Sequence, residues 1–109
     1  MKLLITIVQD ADAGKLQKVL NERGFASTKL ASSGGFLREG NTTLMVGVEN
    51  HLVEPVKEII REICRERTKL VPTNIAISEV QEAFATQPME VRVGGAVVFI
   101  LDVHEFLRM

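Results

Sequence analysis

The sequence predicts an α+β fold in which two amphipathic helices cover one face of an antiparallel sheet. Three observations predict it. Runs rich in apolar and β-branched residues, at 2–8, 25–33, 42–49 and 89–103, read as strands. Two segments between them repeat apolar residues at the 3.6-residue helical period. The order is therefore β-α-β-β-α-β, the split pattern in which each helix bridges two strands.

The opening run KLLITIV, residues 2–8, is almost continuously apolar and suits a central buried strand. Asp10 or Asp12 then offers a helix N-cap. Ala13, Leu16, Val19 and Leu20 recur at helical spacing, with Lys15, Lys18 and Glu22 on other faces. Gly24 stands where a helix C-terminus favours a residue free to adopt positive φ.

Residues 25–33, FASTKLASS, suit a second strand, and TTLMVGVE at 42–49 a third. The glycine-containing connector GGFLREGN, residues 34–41, makes them a hairpin. Pro55 lies near a helix start, where its missing N–H costs little. From there Val56, Ile59, Ile60, Ile63 and Cys64 form an apolar stripe, backed by Lys57, Glu58, Arg61 and Glu62. The charges of RERTK, residues 65–69, read as the solvated end of that helix.

Residues 68–88 lack a sustained period and read as an insertion before the last strand. MEVRV (89–93) and AVVFILDV (96–103) flank Gly94 and Gly95, and read as one bent strand or a strand pair. The whole is a single domain, 1–109, of ferredoxin-like topology. The first strand is apolar on both alternations, Leu4, Thr6 and Val8 against Leu3, Ile5 and Ile7. Helices cover only one sheet face, so the other calls for a second copy of the chain.

Composition narrows the function. Hydrophobic content of 46% with 25% charged residues is that of a globular protein. A net charge of −1, with neither Trp nor Tyr, argues against a nucleic-acid polymer as partner. No apolar run approaches the length needed to span a bilayer, and MKLLITIVQDAD meets acid at Asp10 without a cleavage site. One cysteine, Cys64, forms no internal disulfide, which points to the cytoplasm.

Candidate chemistry concentrates in SSGGFLREGNTT. Consecutive glycines let backbone N–H groups converge on an anion, Phe36 could stack on a base, and Asn41 and Thr28 could read a purine edge. The same residues also suit a plain glycine-rich turn with Phe36 folded back onto the sheet. His51 and His104 are far apart without neighbouring ligands, and read as surface residues rather than a metal site. Asp102, His104 and Glu105 are polar chain-end residues with no accompanying nucleophile motif. Cys64 sits on the apolar stripe and reads as core. Nothing here has the pattern of an enzyme.

The run TKLASSGGFLREGNTTLMVGVE, residues 28–49, resembles the cyclic di-AMP receptor proteins related to PII signal transducers. The similarity extends to KLLITIVQDADAGKL at the start and VRVGGAVVFILDVHEF near the end. It implies a homotrimer with one cyclic di-AMP per subunit interface, no cofactor, no metal and no catalysis. By position it implies that Thr28 and Asn41 hydrogen-bond an adenine and that Phe36 packs on it. Gly35 and Leu37 would offer backbone groups, Gly47 would leave room, and Ser27 and Arg108 would be further contacts. Ligand occupancy would reorder 34–41 and 68–88 and so signal to a downstream protein.

The sequence also departs from those relatives. Ala26 stands where they carry Arg, Gly24 where they are often polar, and Arg108 where they often have Gln. The alternative reading is thus a PII-like trimer that senses another adenine nucleotide or a metal ion.

Overall fold

The structure, a computed structural model, describes residues 1–31, 40–72 and 88–109. Its elements are β1 (Lys2–Gln9), α1 (Asp10–Glu22), β2 (Thr28–Ala31) and β3 (Asn41–Val48). After a 3-10 turn (Asn50–Leu52) come α2 (Val53–Cys64), β4 (Arg67–Pro72), β5 (Pro88–Val93) and β6 (Ala96–Asp102). Four strands form one sheet in the order β2-β3-β1-β6, all neighbours antiparallel. This is the expected α+β, ferredoxin-like arrangement, with β1 at its centre.

Alternation along β1 assigns the two faces. Leu4 pairs with Val46 and Ile100, and Thr6 with Leu44 and Val98. These face the helices, where Leu16 and Leu20 of α1 and Val56, Ile59 and Ile60 of α2 complete a buried core. Leu3, Ile5 and Ile7 point the other way, in rows with Gly47 and Leu101, Met45 and Phe99, and Thr43 and Val97. Among the described residues no helix covers that face, and Phe99 and Leu101 remain 46% and 45% exposed.

The helix ends differ in part from expectation. The N-cap position of α1 is Gln9, which makes no side-chain cap bond, and Asp10 is already helical. Asp10 and Asp12 instead place negative charge on the first turn, where it opposes the helix dipole. At the other end Gly24 has φ +87°, and the Gly24 and Phe25 amides bond to the Asn21 and Leu20 carbonyls at 3.0 and 2.8 Å. That is the expected glycine stop, in Schellman form. Pro55 falls in the first turn of α2, as its missing donor requires.

The second half corrects three expectations. The helical segment stops at Cys64, and Arg67 opens a strand, so RERTK is not a helix end. Residues 67–72 and 88 belong to strands β4 and β5, which shortens the unpatterned stretch. Gly94 and Gly95, at φ +92° and +99°, separate β5 from β6 into different sheets. The two are neither one bent strand nor a pair. Strand β5 pairs with β4 and β6 pairs with β1, because two consecutive left-handed residues redirect the chain. Among the described residues, β4 and β5 pair only with each other and form an arm beside the main sheet. No helix of the described residues is long and apolar enough to cross a membrane.

Candidate functional site

Hairpin pairing puts Thr28 opposite Met45 on β3, and Gly47 lies two residues further along that strand. Thr28, Met45 and Gly47 therefore share the uncovered face of the sheet, at its β2 edge. The Thr28 side chain is exposed. A Cβ added at Gly47 would meet no atom within 4 Å. Packing among the described residues thus gives no reason for a glycine there, and those residues leave the space above it open. Ser27 is half-buried and Ala26 exposed, just before β2 begins.

Asn41 lies at the far end of the same strand, paired with Gln9 and only 1% exposed. Met45 lies four positions further along, about 13 Å at the usual strand rise. A ligand that touches both Thr28 and Asn41 must therefore lie along β3 rather than across it. Arg108 is exposed in the segment after β6, which leaves the sheet at the Lys2 end, the same end as Gly47. Gly35, Phe36 and Leu37 fall outside the described residues. What the structure brings together is an open strip, Thr28 with Gly47, and a separate buried foot at Asn41.

None of the described clefts encloses this strip. The most spacious, about 440 Å³ between α2 and β6, is lined by residues such as Ile60, Arg61, Val98 and Ile100 and holds none of the candidates. A cleft of about 400 Å³ touches Ala26 and Ser27 against Gln17 and Asn21 of α1. Another, about 350 Å³, lies between Gln9, Asp10, Gly40, Arg67 and Lys69.

Around this last cleft the structure assembles a polar cluster that sequence reasoning missed. The Asp10 amide donates to the Gly40 carbonyl at 3.0 Å, and the Thr42 hydroxyl donates to the Asp10 carboxylate at 2.5 Å. The Asp12 carboxylate, 8% exposed, takes the Arg67 guanidinium at 2.8 Å. Arg67 also donates to the Arg65 carbonyl at 2.9 Å. The bond to Asp12 holds the guanidinium's proton above its already high ordinary range. Beside them Cys64 is buried, and burial, reinforced by the Asp12 charge, pushes its thiol up to about 12. The gap of fifty-five residues between Asp12 and Arg67 leaves no local signal from which this pair could have been read.

The remaining polar candidates are peripheral. His51 and His104 are exposed. Asp102 bonds Lys2 across the β1–β6 ladder, and that bond holds its carboxyl below the usual range. Among the described residues, no three His, Cys, Asp or Glu side chains are grouped so as to hold a metal ion.

A family model described as a cyclic-di-AMP receptor matches residues 1–109. The fold is also similar to the crystal structure of a functionally unknown protein from Pediococcus pentosaceus ATCC 25745. That likeness has a TM-score of 0.78 at 38% identity, over 99% of this chain and 96% of the other.

Proposed function

From the fact that this chain belongs to the cyclic-di-AMP receptor family, we propose that it is a cytoplasmic sensor that binds cyclic di-AMP between the subunits of a homotrimer. The observation that carries the interface assignment is the open strip at Thr28 and Gly47. It lies on the apolar sheet face that the helices leave uncovered, so a second copy packed there closes the site. Thr28 then hydrogen-bonds a base, Gly47 admits the ligand against the strand, and Gly35, Phe36 and Leu37 wrap it from the connecting segment. Asn41 fixes the foot of that segment. Ser27 and Arg108 add contacts at the Gly47 end of the sheet.

Binding is exchangeable and leaves the nucleotide intact. Nothing in the site is asked to hold a metal or to transfer a proton. Rearrangement of 34–41 and 68–88 passes the signal to a protein partner. Ala26, exposed beside Ser27, supports a second reading in which the same trimer takes another adenine nucleotide or a metal ion.

Isothermal titration with cyclic di-AMP tests the proposal, with cyclic di-GMP and ATP as controls. Selective heat at one ligand per subunit supports it. Silence with cyclic di-AMP and heat with ATP turns the reading to the alternative ligand, with Ala26→Arg the variant to titrate next.

A further inference from the structure

Three side chains within four residues of the β1–α1 junction reach two separate parts of the molecule. Asp10 holds the foot of the candidate segment, through the Gly40 carbonyl at 3.0 Å and the Thr42 hydroxyl at 2.5 Å. Gln9 and Asp12 hold the β4–β5 arm. The Gly94 amide donates to the Gln9 side-chain carbonyl at 2.6 Å, in a buried bond. Asp12 receives Arg67, the first residue of β4, at 2.8 and 3.5 Å. Gln9, Asp10, Gly40 and Arg67, drawn from all three attachments, line one cleft of about 350 Å³.

The two arm attachments are unlike. At Gly94 the backbone has φ +92°, and a Cβ there would run into the Arg65 carbonyl and the Arg67 guanidinium. The Gly95 amide adds a bond to the Cys64 carbonyl. Two backbone segments, 64–65 and 94–95, meet there in contact, and the buried Gln9 bond adds to them, so this is the firmer attachment. The Asp12–Arg67 pair is different. Its cation is a long side chain that is 37% exposed, and it can leave without disturbing any ladder. Its anion cannot follow, because Asp12 sits on the first turn of α1 and is nearly buried. An attachment that can let go on one side only is a latch.

We infer that Asp12 and Arg67 form a latch by which the foot of the candidate segment, Gly40–Thr42, and the β4–β5 arm influence each other through the first turn of α1. Asp10 and Asp12 lie in the same helical turn, so a change at Gly40 or Thr42 that tilts this turn displaces the Asp12 carboxylate from Arg67. The arm then pivots at Gly94. Coupling of this kind is reciprocal: whatever releases the arm also loosens the foot. Where cyclic di-AMP acts on Asn41 and its neighbours, the latch carries its presence to the arm, and this last step rests on the ligand reading above.

Amide hydrogen exchange on the intact protein tests it, first without ligand. Arg67→Gln is expected to speed exchange at Gly40–Thr42 by about fivefold or more, and isosteric Thr42→Val to speed exchange across 67–71 and 89–93 similarly. Arg67→Lys, which keeps the charge, should restore most of the protection. Changes confined to the mutated side in both variants overturn the latch, whatever the ligand. With cyclic di-AMP added to the wild type, the foot and the arm should both change, and Asp12→Asn should keep the first change and lose the second. An arm that responds equally in wild type and Asp12→Asn overturns the inference. Absence of cyclic di-AMP binding removes the ligand reading alone, since the two unliganded arms still decide the latch.

Discussion

The side-chain carbonyl of Gln9 accepts the amide of Gly94 at 2.6 Å, joining the end of β1 to the bend between β5 and β6. A buried donor is thereby satisfied at a residue whose backbone only glycine adopts readily. Gly94→Ala meets both a positive φ and the Arg65 carbonyl. We expect it to destabilise the fold by more than about 2 kcal/mol, seen as a lower urea midpoint with the slope unchanged. Gln9→Ala, which orphans the same donor, should cost about 1–3 kcal/mol.

The core predicts a second contrast. Leu44 is fully buried among the helix-facing residues, whereas Leu70 on the arm is exposed. Leu44→Ala should cost about 2–5 kcal/mol, and Leu70→Ala should stay within about 0.5 kcal/mol. Denaturation midpoints of the two variants side by side decide it.

Cys64 gives the chain a pH dependence with a definite sign. Unfolded, its thiol ionises near 9.0; folded, it keeps its proton to about 12. Between those values the unfolded state has lost a proton that the folded state retains, so stability falls as pH rises. Relative to Cys64→Ala, the wild type should lose up to about 1.4 kcal/mol per pH unit above pH 9. Below pH 9 the difference between the two should be flat.

The uncovered sheet face should govern assembly. Leu101→Asp places a charge on that face at a position the single chain leaves exposed. Light scattering is expected to show the variant near the single-chain mass of 12.1 kDa, with the wild type larger and helix content the same in both. A wild type that runs at the single-chain mass would remove the interface from the proposed site.

At the ligand site, Thr28→Ala should weaken cyclic di-AMP binding by roughly fivefold to tenfold, the cost of one unmade hydrogen bond. Ala26→Arg should strengthen it by a similar factor, through a charge-assisted contact to phosphate. Titration calorimetry reads both, and gains or losses below about twofold would move the ligand away from β2.

Much of the fold was legible because burial on one side stamps a period on the sequence. The stripe Val56, Ile59, Ile60 and Cys64 had to face the sheet, and Gly24 had to end α1. The arm carries no such stamp. Leu70 and Met89 are exposed, and among the described residues their strands pair only with each other, so residues 65–69 read as a solvated helix end and 68–88 as a stretch without a period. The division between β5 and β6 was hidden for another reason. Both are apolar runs beside a glycine pair, and only their long-range partners distinguish them. At the site, Thr28 and Gly47 were named together through the family resemblance, while Asp12 read as a possible helix cap and Arg67 as part of a solvated helix end.

The sheet order has a consequence for synthesis. Strand β1 leaves the ribosome before the other strands, yet it is the centre of the sheet, and Lys2 finds its partner Asp102 one hundred residues later. Until β6 emerges, β1 offers one apolar edge with nothing to pair with. A nascent chain halted before Ala96 would hold the β2–β3 and β1–β3 ladders of the main sheet and would expose the edge of β1 that β6 normally occupies. For this protein, translation has to run almost to the end of β6 before the sheet can close, which makes the emerging chain a client for any factor that shields unpaired strands.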